Sequence, residues 1–246
     1  MTISYKVWAN YIEKLRKINE TASWRMIEYL KQHPDFAGAG QQAAIDVAFA
    51  LATRYGEAAT ALACEMYDAL AAASGMSLPA ALPAATATMH EVAQAVVGTS
   101  KSGTAELVAN SVGRLVKMAG VDSTMQNAIR DGAEWAWIPQ GETCAFCLML
   151  ASNGWQRASK KALKGGHAEH IHANCDCTYA IRFDARSNVA GYQPERYQRL
   201  YADAEGRSWE DKLNAMRRDQ YAENREEIRA QQREAYAERV ARDMEE

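Results

Sequence analysis

Two long stretches near the start of this chain place apolar residues at alternating spacings of three and four, and this spacing constrains the fold more than any other feature. Because an α-helix completes a turn every 3.6 residues, residues spaced in this way share one helical face. The first stretch runs from about residue 5 to 32 and ends at His33–Pro34, since proline disfavours helical geometry in the residue before it. Its predicted apolar face consists of Trp8, Tyr11, Leu15, Ile18, Ala22, Met26 and Tyr29.

The second stretch follows the hinge Gly38–Gly40 and has a face made largely of small residues. This face consists of Ile45, Ala48, Ala52, Tyr55, Ala59, Leu62 and Met66. Small residues allow the backbones of two helices to approach closely, so the pattern predicts a long helix packed against a partner helix.

Three further helices are predicted before residue 136. One runs from about residue 84 to 97 and ends at Gly98. Another runs from about Thr104 to Met118, and a third begins at a cap formed by Asp122–Ser123 and reaches about Trp135. Residues 1–135 are therefore predicted to form a helical domain.

Composition sets only broad limits on function. The chain has 246 residues, of which 48% are apolar, and its net charge of −3 argues against coating nucleic acid through overall basicity. No secretory signal precedes the first helix, so we expect a protein kept in the cytosol. The longest apolar stretch, Ala59–Ala73, contains Glu65 and Asp68 and is too short to span a membrane, so no membrane partner is expected.

The sequence changes in character after the helical region. Trp135–Pro139 and Thr178–Phe183 alternate as strands do, and the segment between them is rich in glycine. Two short strands bury little core by themselves. A bound metal would supply the missing cohesion, because structural zinc contributes about 10–16 kcal/mol of apparent binding free energy in small modules.

Cysteine and histidine residues cluster between and beside these predicted strands. The cluster consists of Cys144, Cys147, His167, His170, His172, Cys175 and Cys177. A CxxC pair followed by HxxCxC has the spacing of metal ligands, and a reducing cytosol favours metal over disulfides. Zinc is the predicted ion.

Several candidates compete for the four tetrahedral positions. We favour Cys144 and Cys147, on a tight turn, with His172 and Cys175, while Cys177 is a substitute or supporting sulfur. His167 and His170 lie in a glycine-bounded loop and are expected to be exposed polar residues. Two alternatives remain: reduced cysteines that bind nothing, and a disulfide between the pairs if the protein leaves the cell. Cys64, in the small-residue helix, is expected to be a buried hydrophobe.

Enzymatic interpretations of the cluster are weaker. His167–Glu169 has the HxE form of zinc deaminases, but those place HxE before the cysteines, and here the order is reversed. A metal-dependent HNH-like nuclease could use His170 and His172, with Asn174 or Asp176 as the only nearby further groups. No nucleotide-binding glycine motif or GxSxG occurs. A non-enzymatic protein without a small-molecule substrate is therefore favoured, and a nuclease or nucleic-acid-binding protein is the alternative.

The tail of the chain interleaves charges of both signs at helical spacing. Residues 205–246 contain few apolar positions, so we expect a charged helix that docks on another subunit or a neighbouring protein, and otherwise disorder. The predicted fold class is mainly α: a helical domain over 1–135, a small α+β metal-binding module over 136–190 and a charged helical tail over 191–246.

Two pieces of the sequence resemble a known family. The block from Trp137 to Gly154, which contains CAFCLMLAS, and the closing HANCDC at 172–177 look like the minor head proteins related to phage Mu protein F. They are most similar to minor capsid proteins of tailed phages that infect actinobacteria. Typical Mu-like members have HPNCRC, where this chain has Ala173 and Asp176.

This resemblance implies a structural component of the virion. It maps the family's ligands onto Cys144, Cys147, His172, Cys175 and Cys177. It also implies a minor capsid protein in the phage head, assembled in the host bacterial cytoplasm and acting near the portal in head assembly, DNA packaging or ejection. The implied partners are portal, major capsid or scaffold proteins, with phage DNA as a further candidate.

Overall fold

A computed structural model describes residues 5–101, 104–139, 143–159, 177–189, 191–227, 229–230 and 233, with side chains from residue 8 onward. The protein is mainly helical with a small three-stranded sheet, which confirms the predicted fold class. The helices are α1 Tyr5–Gln32, α2 Gln41–Ala73, α3 Met89–Ser100, α4 Ala105–Asp131, α5 Ala145–Ala151, α6 Pro194–Asp203 and α7 Trp209–Glu223. The strands are β1 Glu134–Ile138, β2 Gln156–Arg157 and β3 Thr178–Arg182.

Helices α1, α2 and α4 pack against one another and form the main body of the protein. Most of the predicted small-residue face of α2 is buried here, Tyr55 and Leu62 are partly buried, and the partner helices belong to the same chain. At one crossing, a Cβ added to Gly120 of α4 would lie 3.2 Å from the carbonyl oxygen of Ala59 and 3.5 Å from Leu15 Cδ1. The absence of a side chain at Gly120 therefore lets the three helices meet closely.

The predicted break inside α4 is wrong. A single helix runs from Ala105 to Asp131, and Ser123 does not cap a helix start, because its hydroxyl donates to the carbonyl oxygen of Ala119 one turn earlier. The helix ends at Gly132, which has a φ of +68°. Glycine adopts this left-handed conformation without steric cost, so the helix stops before the predicted end at Trp135.

The predicted bounds of α3 also need correction. The helix begins at Met89 instead of about residue 84, because Thr88 and Glu91 form a capping box at its start. It continues through Gly98 to Ser100. A single glycine weakens a helix without necessarily ending it.

The chain between α2 and α3 forms neither helix nor strand and is held by side chains of α4. Asn127 Nδ2 donates to the carbonyl oxygen of Leu82 at 2.8 Å, and the Leu82 N–H donates back to Asn127 Oδ1 at 2.9 Å. The N–H of Ala84 donates to Ser123 Oγ, also at 2.9 Å. These helical side chains thus supply the partners that a neighbouring strand would otherwise provide.

Replacing Asn127 with alanine should destabilise the protein by about 1–3 kcal/mol, because both backbone groups of Leu82 lose their partner. Urea unfolding followed by circular dichroism measures this change. Asn224→Ala, at an exposed helix end, is the control and should change the free energy of unfolding by less than about 0.5 kcal/mol. Equal effects of the two substitutions would contradict a specific role for Asn127.

The sheet has the order β2–β1–β3 with antiparallel neighbours, so both predicted strands are confirmed. Glu134 lies opposite Arg182 across β1 and β3, and Arg182 Nε donates to Glu134 Oε2 at 2.6 Å. Arg182 also donates to two carbonyl oxygens of the following loop, and its guanidinium lies 4.6 Å from the centre of the Trp155 ring. Arg182 therefore links β1, β3 and the loop that follows β3 at this end of the sheet.

The sheet and the helical body share one hydrophobic core. Trp135 and Trp137 of β1 make edge contacts with the Tyr179 ring of β3, and Trp8 Nε1 of α1 donates to the Tyr179 carbonyl oxygen at 3.1 Å. A second apolar cluster lies between α1, α2, α3 and α4. The predicted domain boundaries at 135 and 190 stay a prediction. Among the described helices, none has the length and apolar character that crossing a membrane requires.

Candidate functional site

Three of the predicted metal ligands lie within the described residues. Cys144 is the N-cap residue of α5 and is partly buried, and Cys147 lies in the first turn of this helix and is buried. The predicted tight turn is therefore a helix start. Cys177 directly precedes β3 and is buried.

Sheet topology brings these cysteines to the same end of the protein. Because β1 and β3 are antiparallel and Ile138 is paired with Thr178, the end of β1 lies beside the start of β3. The Cys177 thiol donates to Thr143 Oγ1 at 4.0 Å, a long contact that links Cys177 to the residue before Cys144. The CxxC pair and Cys177 thus occupy adjoining segments.

The other candidates, His167, His170, His172, Asn174, Cys175 and Asp176, lie outside the described residues. In the part of the chain that the structure describes, no three His, Cys, Asp or Glu side chains group closely enough to hold a metal ion. The zinc site and its ligand set therefore stay predictions. The donor chemistry nevertheless fits zinc: thiols of Cys144 and Cys147 sit one helical turn apart, and no disulfide joins the described cysteines.

Cys64 does not belong to this site. It lies in α2 and is only partly buried, so the prediction that it is a buried hydrophobe is wrong. Partial burial, with the nearby Asp68 carboxylate as a smaller cause, raises the pKa of the Cys64 thiol. A thiol of this kind remains protonated at neutral pH and is a weak ligand or nucleophile.

Helix α7 supports the CxxC segment from outside. Leu213 and Met216 of α7 are buried against Ala145 of α5, and Gln220 Nε2 donates to the carbonyl oxygen of Thr143 at 2.7 Å. The tail was predicted to dock on another subunit, but this part of it packs on its own chain. The apolar positions of α7 are visible in the sequence, whereas the surface that receives them forms only when α5 folds.

Lys212 fixes the position of α7 relative to α6. Its Nζ donates to the carbonyl oxygens of Tyr201, Ala202 and Ala204 at 2.9–3.0 Å. These carbonyls lie at the end of α6, where the last residues of a helix lack backbone partners and the helix dipole favours a cation. Lys212, ten residues after Ala202, therefore caps the C-terminal end of α6.

Lys212→Met should loosen α7 and lower the free energy of unfolding by about 1–2 kcal/mol, because methionine keeps the apolar stem but removes the donors. Hydrogen exchange should rise in α6 and α7 and stay unchanged in α4. Lys17→Met removes an exposed lysine of α1 that pairs with Glu13, and it serves as the matched control with little effect on stability. Unchanged exchange in α6 and α7 of the Lys212→Met variant would contradict the capping role.

The model of the VG15 protein family matches residues 2–204, which include the helical body, the CxxC pair and β3. No curated protein matches the chain. No solved structure matches it either.

Proposed function

This chain belongs to the VG15 protein family, which indicates a phage protein, and on that premise we propose that it is a minor capsid protein that acts in head morphogenesis. In this proposal it lies near the portal of a tailed phage and takes part in head assembly, DNA packaging or ejection. A zinc ion bound by Cys144, Cys147, His172 and Cys175, with Cys177 in support, stabilises the small α+β module over 136–190, which lies between the helical domain and the charged tail in the sequence.

The burial of Cys147 and Cys177 is the observation that supports a structural zinc most strongly. Their exposed fractions are 1% and 2%, and both belong to the hydrophobic core that also contains Trp8 and Trp137. A catalytic zinc site keeps one coordination position open to water or substrate, whereas a structural site is closed by its ligands. Buried thiols inside the core suit a closed site, so we favour an assembly protein over an enzyme.

The virion of the phage that encodes this chain provides the direct test of the assembly role. Mass spectrometry of purified particles should detect the protein in few copies, and chemical cross-linking should join it to the portal or to an adjoining head protein. Its absence from both finished virions and immature heads would contradict the proposal.

A nuclease assay tests the opposing function. Zinc-loaded or magnesium-supplemented protein should leave plasmid DNA intact, and replacement of His167 and His170 together should leave head assembly unchanged. DNA cleavage that disappears in the double variant would instead support the HNH-like nuclease.

A further inference from the structure

Helix α7 presents a face of exposed charged side chains to solvent. Glu210 and Arg217 are exposed and lie seven residues apart, two turns along one face of the helix. Within the described part of the chain, Glu210 makes no ion pair, and Arg217 makes only a 3.4 Å hydrogen bond to Asn214 of its own helix. The acidic group is at the start of the helix and the basic group is nearer its end.

An open groove of about 660 Å³ follows this face of α7. One wall is α7 from Trp209 to Gln220, and the other is the start of α5 at Ala145 and Phe146. Trp209 stands at the edge of the groove with 53% of its surface exposed. Exposed tryptophan beside an apolar groove is typical of a protein interface, since tryptophan is enriched among residues that contribute most to binding.

We propose that this groove binds the same helix of a second copy of the chain, with the two α7 helices antiparallel. The twofold axis passes between Leu213 and Asn214, which places Glu210 of each copy opposite Arg217 of the other. This inference concerns self-association and does not depend on the proposed role in the phage head.

The order of charges along α7 favours a second copy over an unrelated partner. In an antiparallel pair each acidic end meets a basic segment, whereas a parallel pair would place Glu210 against Glu210 and Arg217 against Arg217. The two charged residues are seven positions apart, so they are separated by about 10 Å along the axis and both pairs form at once in a straight helix pair. A twofold pair uses one surface patch twice, and this patch is complementary to itself.

Sedimentation velocity on the full chain tests the proposal. We expect a monomer–dimer equilibrium with a dissociation constant on the order of micromolar, because a single helix pair buries a small interface. Trp209→Ala should weaken dimerisation at least about tenfold, since an exposed aromatic anchor is lost. Trp24→Ala on α1 is the matched control: Trp24 is also exposed, at 50%, and this substitution should leave the dissociation constant unchanged.

Charge reversal tests the register itself. Glu210→Arg and Arg217→Glu should each weaken dimerisation about tenfold or more, because each substitution places like charges opposite each other twice. The double variant restores both pairs, so its dissociation constant should return to within about threefold of that of the unchanged protein. Circular dichroism confirms that each variant remains folded.

Three results would overturn the proposal. They are a monomer at all concentrations up to about 100 micromolar, a dimer that Trp209→Ala leaves intact, and a double charge variant that fails to recover. The last result would reject the antiparallel register even if a dimer forms.

Discussion

Trp137→Ala is expected to remove a large part of the stability of this protein, with a loss of about 3–5 kcal/mol in the free energy of unfolding. Trp137 is 2% exposed, and its ring centre lies 4.7 Å from that of Tyr179 in an edge-to-face contact. The same Tyr179 accepts, through its backbone, the hydrogen bond from Trp8 of α1. A cavity at Trp137 would therefore loosen the junction between the sheet and the helical body.

A loss of this size is a large fraction of the total free energy of unfolding of a small domain, which is only about 5–15 kcal/mol. Trp137→Phe should cost much less, since phenylalanine refills part of the space and Trp137 Nε1 has no hydrogen-bond partner among the described residues. Urea unfolding followed by tryptophan fluorescence and circular dichroism measures both variants.

Trp24→Ala is the control for this series, because Trp24 is half exposed on α1 and should change stability by less than about 0.5 kcal/mol. If Trp137→Ala and Trp24→Ala had similar effects, the junction between sheet and helices would not depend on Trp137.

Helical periodicity predicted the parts of the fold whose stability comes from one continuous apolar face. Five of the seven residues predicted for each face, in α1 and in α2, are buried, and the other four residues, Ile18, Tyr29, Tyr55 and Leu62, are partly buried. The wrongly predicted break inside α4 involves a distant contact. Asp122–Ser123 has the composition of a helix cap, but its surroundings in α4 are buried and the Ser123 hydroxyl accepts from Ala84, 39 residues away. Local composition carries no information about such a partner.

The candidate site was predictable to a similar extent. CxxC spacing identified Cys144 and Cys147 as neighbours, and strand alternation identified the segments on either side of them. The start of α5 at Cys144 and its support by Gln220 were not predictable, because Gln220 reaches the Thr143 carbonyl from 77 residues further along the chain. Nothing in the sequence indicates whether a polar residue in a charged tail makes a tertiary hydrogen bond or is exposed to solvent.

Cys147→Ser is expected to abolish zinc binding and to destabilise the sheet module. Cys147 is 1% exposed within the hydrophobic core, so replacing its thiol by the more polar hydroxyl of serine is itself expected to cost about 1–3 kcal/mol. Loss of a metal ligand adds to this cost because metal binding and folding are coupled. We expect the purified protein to contain about one zinc ion per chain and the variant to contain almost none, as measured by elemental mass spectrometry.

Chelation separates the two contributions. A strong zinc chelator should lower the unfolding temperature of the unchanged protein towards that of Cys147→Ser and should have little further effect on the variant, whereas a packing defect alone would leave both insensitive. Cys64→Ser is the control, because Cys64 lies in α2 apart from the cluster and its replacement should leave the zinc content intact. Cys175→Ser and Cys177→Ser then test the ligand set: the first should lose zinc and the second should retain it if Cys177 only supports the site. An unchanged protein that contains no zinc and has the same unfolding temperature with and without chelator would reject the metal and leave the buried thiols as core residues.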